Sequence, residues 1–194
     1  MAIDINELFA KALLRMMKDK PLFSITVKNL LEETGASRQT FYNHFRDRND
    51  LVCYIYNTRI IPEYGDPCTE NLDFSSSLLR SFENMKKYRN FMEQALRDES
   101  AGNLKDYIFI HCASFDMKWH QQCYGKKKMP EELKFATEYH AIASSSMTIS
   151  WILSGMPVSC EEMVKMITQM RGIGMEKLFA GCEGSGNPYG RLTN

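Results

Sequence analysis

Between Ser24 and Leu51 the chain reads SITVKNLLEETGASRQTFYNHFRDRNDL, and no other stretch limits its fold so closely. Two short helical patterns lie on either side of Gly35. In the first, Thr26 precedes Val27, Leu30 and Leu31, so its hydroxyl can accept a backbone N–H at the opening of a helix. Gly35 falls where the chain must leave that helix, through the left-handed conformation that glycine adopts at least cost. Ser37 is placed to cap a second helix in which Phe41 and Phe45 form an apolar seam at i, i+4. Around that seam stand Ser37, Arg38, Gln39, Thr40, Tyr42, Asn43 and His44, each with a hydrogen-bonding group. A helix of this kind packs along one side and offers donors and acceptors along the other. That is the layout of a helix-turn-helix whose second helix enters the major groove of DNA. An ordinary helical hairpin with a solvated second helix would account for Arg38 and Gln39. It would not account for so many polar side chains around only two apolar anchors.

The flanking sequence extends the helical pattern. Ile5, Leu8, Phe9, Ala12, Leu13 and Met16 recur on one face of an amphipathic helix over about Asp4–Lys18, which Pro21 ends. Asp47 opens another helix, with Asp50 as third residue in a capping-box-like pair and Leu51, Tyr54, Ile55 and Thr58 on its packed face. Residues 1–62 are thus expected to form one small helical domain. A turn-rich connection, EYGDPCTEN, follows at 63–71. The remaining segments, about 74–87, 89–97, 103–123, 131–154 and 160–179, all read as helices. Gly102, the loop at 124–130 and Gly155-Met156-Pro157 break them, and Ser159 with Glu162 makes a capping box for the last. The sequence predicts an all-α protein of about nine helices. It comprises an N-terminal helix-turn-helix unit, an antiparallel helical bundle over 63–180 and a flexible tail over 181–194.

Composition narrows the function. The 194 residues carry 24 basic and 24 acidic side chains, so this is not a general basic coat for nucleic acid. Placement matters more than total, because Lys28, Arg38, Arg46 and Arg48 gather around the motif, where phosphates would lie. No apolar run approaches a membrane span, and MAIDINELF does not read as a secretory signal, so a cytoplasmic location is expected. The six cysteines are scattered without a CxxC pair and read as reduced, small apolar residues. Nucleophile elbow, phosphate-binding glycine loop and HExxH are all missing, which argues against an enzyme.

The first helix, Thr26-Val27-Lys28-Asn29-Leu30, Gly35 to Tyr42, and Phe45 to Leu51 resemble the N-terminal region of TetR-type transcriptional regulators. YRNFMEQAL (88–96) and WILSGMPVSCEEM (151–163) more faintly resemble the branch that includes regulators of dihydroxyacetone kinase operons. The resemblance implies that Thr26, Lys28, Tyr42, His44 and Arg48 touch phosphates, while Arg38, Gln39 and Thr40, between Ser37 and Asn43, face base edges. Arg and Gln suit that task, since their bidentate geometry matches guanine and adenine. His44 could instead pack beside Phe45. Arg48 stands where the family usually has lysine, so charge is kept but donor geometry changes.

The resemblance also implies a homodimer on a palindromic operator, assembled through the last two helices. Met163, Ile167, Met170 and Gly174 make an apolar stripe suited to this, with Met166 and Ile173 widening it, though such a stripe could equally pack within its own chain. It further implies a small-molecule effector that releases a repressor from DNA. Some members of the branch instead work as activators with a protein co-regulator. Candidate effector contacts are Tyr107, His111, Phe115, Trp119, Tyr139, His140, Met147 and Trp151, a mixed aromatic and polar set, although aromatics at helical spacing more often build core. His111, Cys112, His120 and Cys123 cannot converge from a single helix, so neither metal nor cofactor is expected.

Overall fold

A computed structural model describes residues 4–61, 74–99, 104–125 and 127–179. Among them are nine α-helices and no strand: α1 Ile5–Met16, α2 Val27–Thr34, α3 Arg38–His44, α4 Arg48–Arg59, α5 Phe74–Lys87, α6 Arg89–Arg97, α7 Leu104–Tyr124, α8 Glu131–Leu153 and α9 Cys160–Phe179. The 63–71 connection, the break at Gly102 and the 181–194 tail lie outside the described residues. No described helix is long and apolar enough to cross a membrane.

The local chemistry sets the helix ends. Asp4 caps α1 by accepting from the Glu7 N–H, and α1 stops at Met16, short of the expected Lys18, as the chain turns ahead of Pro21. Thr26 caps α2 by accepting from the Asn29 N–H, and Asn29 Oδ1 returns the favour to the Thr26 N–H at 3.0 Å, a full capping box. Gly35 ends α2 at φ 68°, where a side chain would be strained. Asp47 caps α4 through the Asp50 N–H, and the Asp50 carboxylate reaches back to the Arg46 N–H. Ser159 and Glu162 close the capping box of α9.

The chain divides into two compact units. The first comprises Met1–Ile61 with Asn84–Tyr107, so α6 and the adjoining ends of α5 and α7 belong with the N-terminal helices, a contribution that the boundary at 62 leaves out. In it α1 packs on both α2 and α4. Its centre is aromatic: Phe9 meets Phe41 edge-on at 5.0 Å and Phe45 at 6.2 Å, and Phe45 lies 5.7 Å from Tyr54. The α4 face is wider than its sequence pattern suggests. Leu51 and Ile55 are buried as expected, but Val52 and Tyr56 are buried too, while Thr58 is exposed. Tyr56 is covered by the ring of Tyr107, from the start of α7, which no local periodicity could anticipate.

The second unit comprises 62–83 and 108–194. Here α8 packs on α9, and Trp119, Met129, Leu133, Met175 and Phe179 form a core cluster. Phe82 packs against Trp151, whose indole N–H donates to the Val158 carbonyl at 3.0 Å.

Candidate nucleic-acid interface

The α3 helix is held from one side only. Phe41 is fully buried against Phe9, and Phe45, at the end of α3, is nearly so. The opposite side is open: Arg38, Gln39, Tyr42, Asn43 and His44 are exposed, and Thr40 is half-buried. Ser37 accepts the Thr40 N–H at 3.0 Å and shares a 2.8 Å hydroxyl contact with the Thr40 side chain, which stiffens the first turn. Tyr42 keeps half its surface exposed while its ring rests edge-on against Phe41 at 5.4 Å. His44 is not packed beside Phe45; its Nδ1 lies 2.7 Å from Asn6 Oδ1 on α1, which orients the ring at the surface. The N-terminus of α3 adds a partial positive charge to this face, favourable toward a phosphate.

Two candidate phosphate contacts are otherwise engaged. The Arg48 guanidinium points inward, donating to the carbonyls of Leu22 and Ile25 at 2.6 and 2.9 Å and pairing with Asp98 at 2.8 Å. Its side chain is only 14% exposed. Arg48 therefore does not belong with the outward residues; the loss of a lysine's compact, solvated head for a planar fork suits this internal bridging. The Thr26 hydroxyl donates to Asn29 Oδ1 at 2.8 Å and accepts from the Asn29 N–H, so the cap occupies it. Lys28 stays open at the surface, with only a loose 3.8 Å approach to Glu32. Sequence reasoning missed Asn29 as the reciprocal cap and Asn6 as the partner of His44. The first was within reach, as an Asn three residues after a Thr cap. The second joins residues 38 apart and leaves no local trace.

The candidate effector residues do not converge on one place. Tyr107 belongs to the first unit, where its hydroxyl accepts from Asn57. Trp119 and Trp151 are core, the former stacked on Phe74 at 5.1 Å. Tyr139 and Met147 face outward, each 61% exposed. Only His111, Phe115 and His140 are half-buried within the second unit. What that unit does hold is a buried polar network of a kind the sequence did not reveal. Arg171 on α9 and Asp116 on α7, each 5% exposed, pair at 2.6 Å, and Arg171 also donates to Ser144 on α8 at 3.1 Å and lies over the Phe74 ring. Burial pushes the Asp116 carboxyl up, and the guanidinium beside it works in the opposite direction. His120, fully buried, meets Thr137 Oγ1 at 2.8 Å. Because Thr137 donates its own proton to the Leu133 carbonyl, the imidazole must donate from Nδ1, and burial pushes it down to about 3.

Among the described residues no group of three His, Cys, Asp or Glu is placed to hold a metal. Burial also pushes the Cys53 thiol up to about 11 and raises that of Cys112, the reverse of what a reactive thiolate needs.

The α9 stripe is divided between the core and the surface. Met163 and Ile167 are buried in their own chain, whereas Met166, Met170 and Ile173 face outward; Gly174 lies on the same helix. On α8, Phe135, Tyr139, Ile142 and Met147 are also exposed. Two packed helices thus each carry an uncovered apolar stripe, more than isolated exposed side chains would give.

The family described as the C-terminal region of a transcriptional regulator, TetR_C_8, matches residues 73–171, just over half of the chain. No curated protein sequence matches. Among solved structures, the dihydroxyacetone kinase operon activator DhaS is similar, with a TM-score of 0.63 over 88% of this chain and 95% of that one at 21% identity. Likeness at that identity speaks for the fold, which is all-α in both the expectation and the structure. Fold, helix-turn-helix and family match agree, and the chain belongs to the TetR-type transcriptional regulators.

Proposed function

We propose that the protein is a dimeric, sequence-specific DNA-binding regulator that inserts α3 into the major groove of a two-fold symmetric operator. The observation that carries this is the one-sided anchoring of α3: Phe41 is buried, while Arg38, Gln39, Tyr42 and Asn43 stand free of the core. Arg38, Gln39 and Thr40, flanked by Ser37 and Asn43, would read base edges, while Lys28, Tyr42 and His44 would hold phosphates. In the simplest scheme the bound protein represses and a small molecule releases it, with His111, Phe115 and His140 as candidate contacts for that effector. Activation, with or without a protein co-regulator, is the second reading, favoured because the similar solved structure is that of an operon activator.

Selection of duplexes from a random pool tests the proposal. The wild-type protein should enrich a palindrome, and Arg38→Ala should lose about 1–3 kcal/mol on it while holding random DNA nearly as well. Equal loss on both would make Arg38 a phosphate contact only. A folded protein that enriches nothing would shift the weight to partner-dependent action.

The uncovered stripes on α8 and α9 support pairing of two copies, since a second copy would bury them. Met170→Lys with Ile173→Lys should raise the dimer dissociation constant by about tenfold or more in sedimentation, because the lysines would bring charge into an apolar contact. An unchanged dimer would move the interface elsewhere.

A further inference from the structure

We propose that α6 acts as a clasp that sets the position of the reading head, with Asn90, Gln94 and Asp98 as positioning residues for DNA recognition; this rests on the DNA-binding reading above. Asn90 and Gln94, four apart, share one face of α6, and Asp98 follows as its C-cap. Each engages the backbone that joins α1 to α2, directly or through Arg48. Asn90 Nδ2 donates to the carbonyl of Met17, the C-cap of α1, at 3.0 Å. Gln94 Oε1 accepts the Leu22 N–H at 2.7 Å. Gln94 Nε2 donates to Asn90 Oδ1 at 2.8 Å, so the two amides lock each other's orientation. Asp98 holds the Arg48 guanidinium, which in turn donates to the carbonyls of Leu22 and Ile25.

Leu22 therefore has both its N–H and its C=O secured by α6 or by an arginine that α6 holds. Leu22 and Ile25 are buried, and the Asp98 carboxylate is 4% exposed. The very next residue, Thr26, is the cap of α2, and α3 follows after one turn. The entry to the helix-turn-helix is thus fixed by polar bonds from a helix more than 60 residues further along the chain. These part-buried bonds, charge-assisted where Arg48 donates, are orientation-specific, which apolar packing of the same connection would not be. A change in α6 would move the entry to α2 without altering any residue that faces DNA.

Asp98→Asn and Gln94→Ala in the full chain test this by two readouts. The first is the ratio of affinities for the selected operator and for random duplex. Asp98→Asn removes a negative charge, which by electrostatics alone would tighten binding to all DNA alike. The clasp instead requires the operator-to-random ratio to fall by about tenfold or more in both variants. The second is amide hydrogen exchange, in which α2 and α3 should exchange about tenfold faster while α9 is unchanged. Variants that keep both the wild-type ratio and wild-type exchange over α2 and α3 overturn the inference. If the wild-type protein itself shows no preference for any duplex, the DNA-binding reading fails. Exchange then decides the clasp alone: acceleration confined to α2 and α3 supports it, and none overturns it.

Discussion

Arg171→Met is expected to destabilise the protein by about 3–5 kcal/mol, because it leaves the Asp116 carboxylate buried without its counter-charge. Among the other neighbours of Arg171, Phe74 and the Ser144 hydroxyl carry no charge, and burial pushes down the imidazoles of His120 and His140, which lie within its electrostatic reach. The carboxyl would take up a proton instead, which gives the loss a pH signature. Its pKa in the folded variant would rise further above the unfolded value, so the folded state would bind more protons than the unfolded one. Stability of the variant should then fall as pH rises through the ordinary carboxylate range toward neutrality, relative to wild type. The double change Arg171→Met with Asp116→Leu should recover most of the loss, since replacing a whole buried pair by apolar groups is often neutral. Urea unfolding of the three proteins at two pH values checks all of this. A single-variant loss below about 1 kcal/mol would mean that Asp116 is already neutral in the native protein.

Phe41→Ala should cost a similar amount, about 3–5 kcal/mol, as a fully buried ring is deleted from the Phe9–Phe45 cluster. Tyr42→Ala, one residue on, should change stability by no more than about 0.5 kcal/mol because the ring is half-exposed. Its expected effect is on DNA instead. Adjacent aromatics on one helix would thus separate folding from recognition, read by thermal unfolding and operator binding side by side. Should both changes unfold the protein to the same degree, α3 would be a core helix rather than a reading helix.

The division between what could and could not be read from the chain follows the range of the interactions. The caps at Thr26, Ser37, Asp47 and Ser159 and the turn at Gly35 each depend on groups within four residues, and each was legible as a residue type at a fixed offset. The 3.6-residue periodicity likewise located α1 and the Phe41–Phe45 seam. The exposed side of α3 followed from these, because once the buried seam of a short helix is known, its free side is known. Periodicity alone does not say how a wide apolar stripe is shared between the core and the surface. On α9 it drew one stripe through Met163, Ile167, Met170 and Gly174, widened by Met166 and Ile173, and left open packing within the chain. The unit's own core takes Met163 and Ile167, while Met166, Met170 and Ile173 face outward. Aromatic content similarly suggested a pocket where Trp119 and Trp151 instead fill the core.

By itself, then, the sequence determined the helical class, the helix-turn-helix and the polar side of α3, since these rest on local hydrogen bonds and on the repeat of the helix. Tertiary structure alone decided the destination of Arg48, which looked like a surface cation and became an internal bridge to Asp98, 50 residues away. It likewise decided the meeting of Asp116 with Arg171 from α7 and α9. In both cases the physical reason is the same: a charge is buried only where another element brings its partner, and that pairing is a property of how helices pack rather than of any window of the chain.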